Sequence, residues 1–171
     1  AAYPVGLIEI LITNNKISEF KELFHEHEEG MEAALYYERE AIFGFIYRNN
    51  DLQDPRKPLL NLLMEYGFIF KENHKKALLK HAIEHDDLEF LKLLLRKKVI
   101  DLYSYIPDRG VTPLHLILIE GSDRMIDYFT NTITVLNSDQ QIKFIPCYSV
   151  YDYSGPPYWK AHQNNFNVKP P

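Results

Sequence analysis

His81 and His85 stand four residues apart in the segment HAIEH, with Glu84 beside the second histidine. Two imidazoles at that spacing share one face of a helix and can hold one metal ion, beside which a carboxylate can act as base toward a bound water. The order H-x-x-E-H is the inverted form of a zinc-hydrolase helix. A motif this short has a high false-positive rate without a cleft around it. The same residues are fully accounted for by a short first helix of a helix pair, so catalysis here is the lesser reading and a binding role for His81 and His85 the greater. His25 and His27 lie among glutamates in FHEHEEGMEAALYYERE, residues 24–40. His-x-His alone fixes no coordination geometry, and this stretch reads as an acidic solvated helix face and loop. Cys147, Asp152 and His162 supply the types of a nucleophile, an orienter and a base, but nothing near Cys147 would hold a thiolate at a helix N-terminus. The seven glycines are scattered, so no phosphate-binding loop is formed. No catalytic residue, metal or cofactor is expected.

The 171 residues, 46% of them hydrophobic, suffice for one core. A formal charge of −5 disfavours nucleic acid as partner, because phosphate binding needs clustered Lys and Arg. The charge is uneven. Residues 1–40 hold nine acidic and three basic side chains, whereas 71–100 hold eight basic and five acidic ones. Arg96, Lys97 and Lys98 read as solvated helix exterior, with steering of an acidic partner as the alternative. One cysteine, Cys147, excludes an internal disulfide and suits a reducing, cytoplasmic setting. No apolar run has the length to cross a bilayer, so no membrane partner is expected. The chain begins without Met, which is compatible with a processed product or a segment of a larger protein; the alternative function in the second case is the substrate-docking part of a larger enzyme, with this chain still a binding module.

The elements that must position these residues are most legible in GVTPLHLILIEGSDRMIDYF, residues 110–129. Thr112 is an N-cap and Pro113 a first helical residue. Leu114, Ile117 and Leu118 recur at helical spacing, and Gly121 is placed to end the helix in the left-handed conformation. Met125, Ile126 and Phe129 then share a face of a second short helix. A pair this short cannot bury its own apolar stripe, so neighbours must repeat it. In ALLKHAIEHDDLEFLKLLLRKK, Leu79, Ala82 and Ile83 answer to Leu114, Ile117 and Leu118 at an offset of thirty-five residues. The link between these pairs carries Pro107, Asp108 and Gly110, which suit a β-like finger. Two earlier pairs follow the same order: one turns at Asn49, Asn50 and Asp51 and is lengthened by Pro55 and Pro58, the other turns at Asn14, Asn15 and Lys16.

With GVTPLH similar to a Thr-Pro-Leu-His signature and DDLEFLKLLL similar to a second-helix pattern, residues 4–136 resemble the ankyrin-repeat family. The resemblance implies an all-α solenoid with short finger loops, in which Thr112 and His115 hydrogen-bond within and between repeats. It covers one clear repeat, one good one and two divergent ones; KKVID replaces the usual Gly-Ala-Asp tail. A different α-solenoid is the structural alternative. The expected organisation is a repeat domain over 1–138, with repeats 4–36, 37–70, 71–105 and 106–138, and an irregular cap over 139–171. In that cap Tyr148, Tyr151, Tyr153, Tyr158 and Trp159 would cover the end of the stack, with extension of the binding surface as the alternative.

Solenoids of this kind imply recognition of another protein through first helices and fingers. The candidate contacts are Tyr103, Tyr105, Asp108 and Arg109 on the finger, His81 and His85 on one first helix, and Glu120 at the end of the next. Thr112, Pro113, Leu114, His115 and Gly121 are the structural motif. The chain is expected to be monomeric before a partner binds, and its divergent repeats are similar in style to ankyrin-type proteins that intracellular pathogens direct at host factors.

Overall fold

The apolar residues recur at helical spacing along most of the chain, and short helices follow one another with little between them. A computed structural model describes residues 6–104, 106 and 110–140, with the backbone alone over 132–140. Among the described residues there are nine α-helices, one 3₁₀ turn and no strand beyond an isolated antiparallel bridge between Ile106 and Val111. None of these helices is long and apolar enough to cross a membrane. The chain divides into two compact units, Ala1–His74 and Lys75–Pro171.

The first unit holds α1 (Leu7–Thr13), α2 (Ile17–Glu26), α3 (Glu28–Tyr37), α4 (Arg39–Arg48), a 3₁₀ turn (Asp51–Gln53) and α5 (Pro58–Glu65). Helix α1 packs on α2, α3 and α4, and α3 also packs on α2 and α4. Ile8, Phe20, Ile42, Ile46, Leu60 and Leu63 are fully buried and form the core of this unit. The expected Asn turn is present: Asn15 adopts φ 54°, with Lys16 N donating to Leu11 O at 2.7 Å and Asn15 N to Ile12 O at 3.2 Å. This six-to-one, five-to-two pattern closes the helix and satisfies carbonyls that would otherwise be orphaned. Residues 24–40, read from the sequence as an acidic solvated helix face and loop, form the end of α2, the whole of α3 and the start of α4 instead. The boundary drawn at 36/37 therefore falls within α3. Met31 and Leu35, four apart and both buried, give this segment the inward face that its glutamates obscured.

The lengthened link after α4 has a structural use. Lys57, the N-cap of α5, supplies no side-chain cap. The buried Asp51 carboxylate replaces it across the link, accepting from Leu59 N at 3.0 Å and Leu60 N at 2.9 Å. A carboxylate at this end also suits the helix dipole.

Helix α6 (Glu72–Glu84) spans the point of division, and the second unit continues with α7 (Leu88–Arg96), α8 (Pro113–Glu120) and α9 (Asp123–Gln140). Leu78, Leu91, Leu94, Leu114, Ile117 and Met125 are fully buried in it. Helix α6 closes as α1 does: Asp86 is left-handed at φ 48°, with Asp87 N on Ala82 O and Asp86 N on Ile83 O.

Helix α8 begins as its sequence dictates. Thr112 Oγ1 accepts from His115 N at 3.2 Å, Thr112 N donates to His115 Nδ1 at 3.5 Å, and Pro113 occupies the first turn. Its end differs from expectation. Gly121 is extended at φ −72° and ψ 163°, not left-handed. Glycine is needed for another reason: a Cβ there would collide with the Ile117 carbonyl oxygen. The following helix is also not short, since α9 runs for 18 residues to Gln140, past the boundary placed at 138. The aromatic cap residues from Tyr148 onward, like Cys147, Asp152 and His162, lie outside the described residues.

Candidate functional site

The finger between α7 and α8 starts from a local turn, in which Asp101 Oδ1 accepts from Tyr103 N at 3.0 Å. Tyr103 is half-buried, and burial, reinforced by the nearby Asp101 charge, raises its phenol above the ordinary tyrosine range. It is therefore a neutral hydroxyl near pH 7. The finger closes where Ile106 N donates to Val111 O at 2.7 Å and Gly110, at φ 63°, donates to Ile106 O at 2.9 Å. Gly110 satisfies the left-handed requirement at no steric cost. Leu114 N then donates to Leu102 O at 3.1 Å, tying the base of the finger to the first turn of α8. Three finger candidates, Tyr105, Asp108 and Arg109, lie outside the described residues.

His81 and His85 do share a face of α6, and their rings stack with centroids 4.0 Å apart and planes 22° from parallel. His81 is only 5% exposed and packs edge-on to Phe90, whereas His85 is exposed. The buried His81 ring lies behind His85 and offers little surface of its own. His85 Nδ1 lies 3.0 Å from His81 O, so in the neutral ring it carries the proton and Nε2 is the acceptor. A metal lies in the plane of each imidazole it binds, about 2 Å from nitrogen. Stacked planes cannot both meet that condition without one ring swinging away. Among the described residues no group of three or more His, Cys, Asp and Glu side chains is placed to hold a metal. Glu120 is exposed at the end of α8.

His74 escaped the sequence reading. Its Nδ1 accepts from Lys71 N at 3.1 Å, and it lies three residues into α6, as His115 does relative to Thr112 at α8. KENH thus makes the same backbone contact as TPLH without resembling it. The ring is 1% exposed and stacks on Phe43 at 4.1 Å. Its Nε2 lies 3.4 Å from Glu40 Oε1, an ion-pair distance without hydrogen-bond geometry. Burial holds the His74 pKa below the ordinary histidine value, and the opposing pull of Glu40 does not restore it. Glu40 itself is held below the usual carboxylate range, chiefly by its 2.7 Å contact with Lys71.

The sequence also gave no sign of a hollow of about 470 Å³ in the first unit, lined by Ile12, Ile17, Phe45, Leu59 and Leu62, with Lys21 and Glu65 exposed along it. Its walls come from four helices, so no local pattern announces it.

The chain matches no family model, no curated protein and no solved structure.

Proposed function

We propose that the chain is a divergent ankyrin-like repeat protein whose function is non-catalytic recognition of a protein partner. One observation carries this reading: residues of α7 and of the turn before it meet residues of α9 and of the turn before it at a nearly constant separation along the sequence. Ser122 Oγ donates to Asp86 Oδ1 at 2.6 Å, 36 residues apart, and Arg124 Nη2 donates to Asp86 O at 2.7 Å, 38 apart. Lys92 Nζ lies 4.3 Å over the Tyr128 ring, again 36 positions along. A constant offset is what stacking of one helix pair on the next produces. Left-handed residues follow the first helix at Asn15, Asn50 and Asp86, 35 and 36 residues apart, which supports the same period in both units.

Recognition is assigned to the finger and first-helix ends: Tyr103, Tyr105, Asp108, Arg109, His85 and Glu120, with His81 behind His85. Tyr and Arg supply the contact area, and Asp and Glu fix orientation. The test is affinity capture from a eukaryotic lysate with mass spectrometry, comparing the intact chain with Tyr105→Ala/Arg109→Ala. A protein retained only by the intact chain, at equal helicity and melting temperature, is the expected result. Equal capture by both chains refutes the assigned surface, and conversion of lysate components refutes the non-catalytic reading.

A further inference from the structure

We propose that the α3 face of the first unit is a docking surface for a basic peptide carrying an aromatic or branched apolar anchor, independent of the residues assigned above. Glu32, Leu35, Tyr36, Tyr66, Gly67 and Ile69 line a cleft of about 270 Å³. Tyr36 and Ile69 are 44% and 57% exposed there, and Tyr37, edge-on to Tyr36, is 83% exposed. This places apolar surface in water beside a concave space able to accept a side chain.

The cleft is organised before any ligand arrives. The Tyr66 ring packs on Phe20 and Phe24 with centroids at 5.2 and 4.6 Å, which ties one wall to the core. The Arg39 guanidinium sits 4.0 Å over the Tyr36 ring, and its Nη1 donates to Tyr36 O at 3.0 Å. Fixed aromatic side chains lose little rotamer freedom on binding, which favours affinity.

Charge selects the occupant. Glu28 and Glu32 are one turn apart on α3, with Glu29 beside them, and Leu35 and Tyr36 follow at three and four residues from Glu32. None of these three carboxylates is paired with a cation among the described residues. The face therefore runs from acidic to aromatic, and the Arg39 guanidinium beside it is engaged with Tyr36. An acidic segment would be repelled here, whereas Lys or Arg side chains over Glu28 and Glu32 would meet opposite charge. From Glu28 to Tyr36 the helix rises about 12 Å at 1.5 Å per residue, the reach of three to four extended residues. The anchor and the basic residues should be separated by about that number.

The test is selection of a random phage-displayed peptide library on the intact chain, followed by titration of the leading synthetic peptide. The expected result is enrichment of peptides with an aromatic or branched residue and Lys or Arg about three to four positions away. Binding should weaken with added salt. Glu32→Lys and Ile69→Ser, both at exposed positions, should each lose about tenfold in affinity. Glu89→Lys, which makes the same charge change at an exposed site of the second unit, should lose little. No enrichment above the bare support, enrichment of acidic or uncharged peptides, or equal losses for Glu32→Lys and Glu89→Lys would each overturn the proposal.

Discussion

Two buried side chains that end backbone accounts explain more of this protein than any of its reactive-looking residues. Asp51 caps α5 from across a link, satisfying the amides of Leu59 and Leu60 while buried itself. Asp51→Ala leaves both amides without this acceptor, and urea unfolding should show a loss of about 2 kcal/mol. Thr112 holds the equivalent place at α8 through His115 N. Left-handed positions give a second residue-level test. Lys98 at φ 60° and Gly67 at φ 81° occupy the same closing position after α7 and α5, each with the six-to-one bond to the helix behind. Both are exposed. Lys98→Gly should therefore stabilise by up to about 1 kcal/mol, and Gly67→Ala should destabilise by a similar amount, because only glycine adopts that conformation without cost. Equal and opposite shifts in the urea midpoint would establish that the motif, not side-chain contact, sets the residue at both sites.

At the scale of elements, His74 joins the start of α6 to α4. Its ring stacks on Phe43, its Nδ1 accepts from Lys71, and its Nε2 faces Glu40. The other charges acting on it are Lys71 and Arg39. Because the folded pKa lies below the ordinary histidine value of about 6.5, the unfolded chain binds a proton that the folded chain refuses. Stability is thus unaffected well above pH 6.5 and is lost as the pH falls from there toward the folded pKa. His74→Gln should flatten the stability profile over that window, measured by urea midpoints at a series of pH values. Glu40 adds a separate loss at lower pH, because its depressed pKa stabilises the fold above the ordinary carboxylate range and ceases to do so as the carboxyl protonates.

For the molecule as a whole, the proposed stacking of helix pairs turns on the contacts at Asp86. Asp86 accepts from Ser122, in the turn before α9, and from Arg124, in the first turn of α9, through contacts exposed to water. Exposed ion pairs contribute little singly, but the two hydrogen bonds here tie the turn between α6 and α7 to the start of α9. Ser122→Ala/Arg124→Ala should lower the melting temperature by a few degrees, about 1 kcal/mol in a chain of this size. If the helix pairs fold as a cooperative stack, the transition should remain single; loss of cooperativity would indicate that these turns hold the pairs in one unit.

Periodicity and punctuation in the sequence determined that the described residues are largely helical, where α8 begins, and where the chain turns after α1 and α4. Thr112, Pro113, Asn15 and Asn50 did so because caps and left-handed turns are local requirements that residue type meets directly. Tertiary structure alone decided the rest. Gly121 is required by the nearness of the Ile117 carbonyl, a distance that residue type does not encode. Helix α3 gains its inner face from Met31 and Leu35 against neighbouring helices, despite a glutamate-rich surface. His74 reproduces the capping role of His115 from the unmatched sequence KENH, and its burial depends on Phe43 from another helix. His81 and His85 were expected to act together at a surface, yet packing on Phe90 buries one ring beneath the other. Spacing along one helix fixes the face a side chain shares, whereas neighbouring elements fix how much of that face meets water.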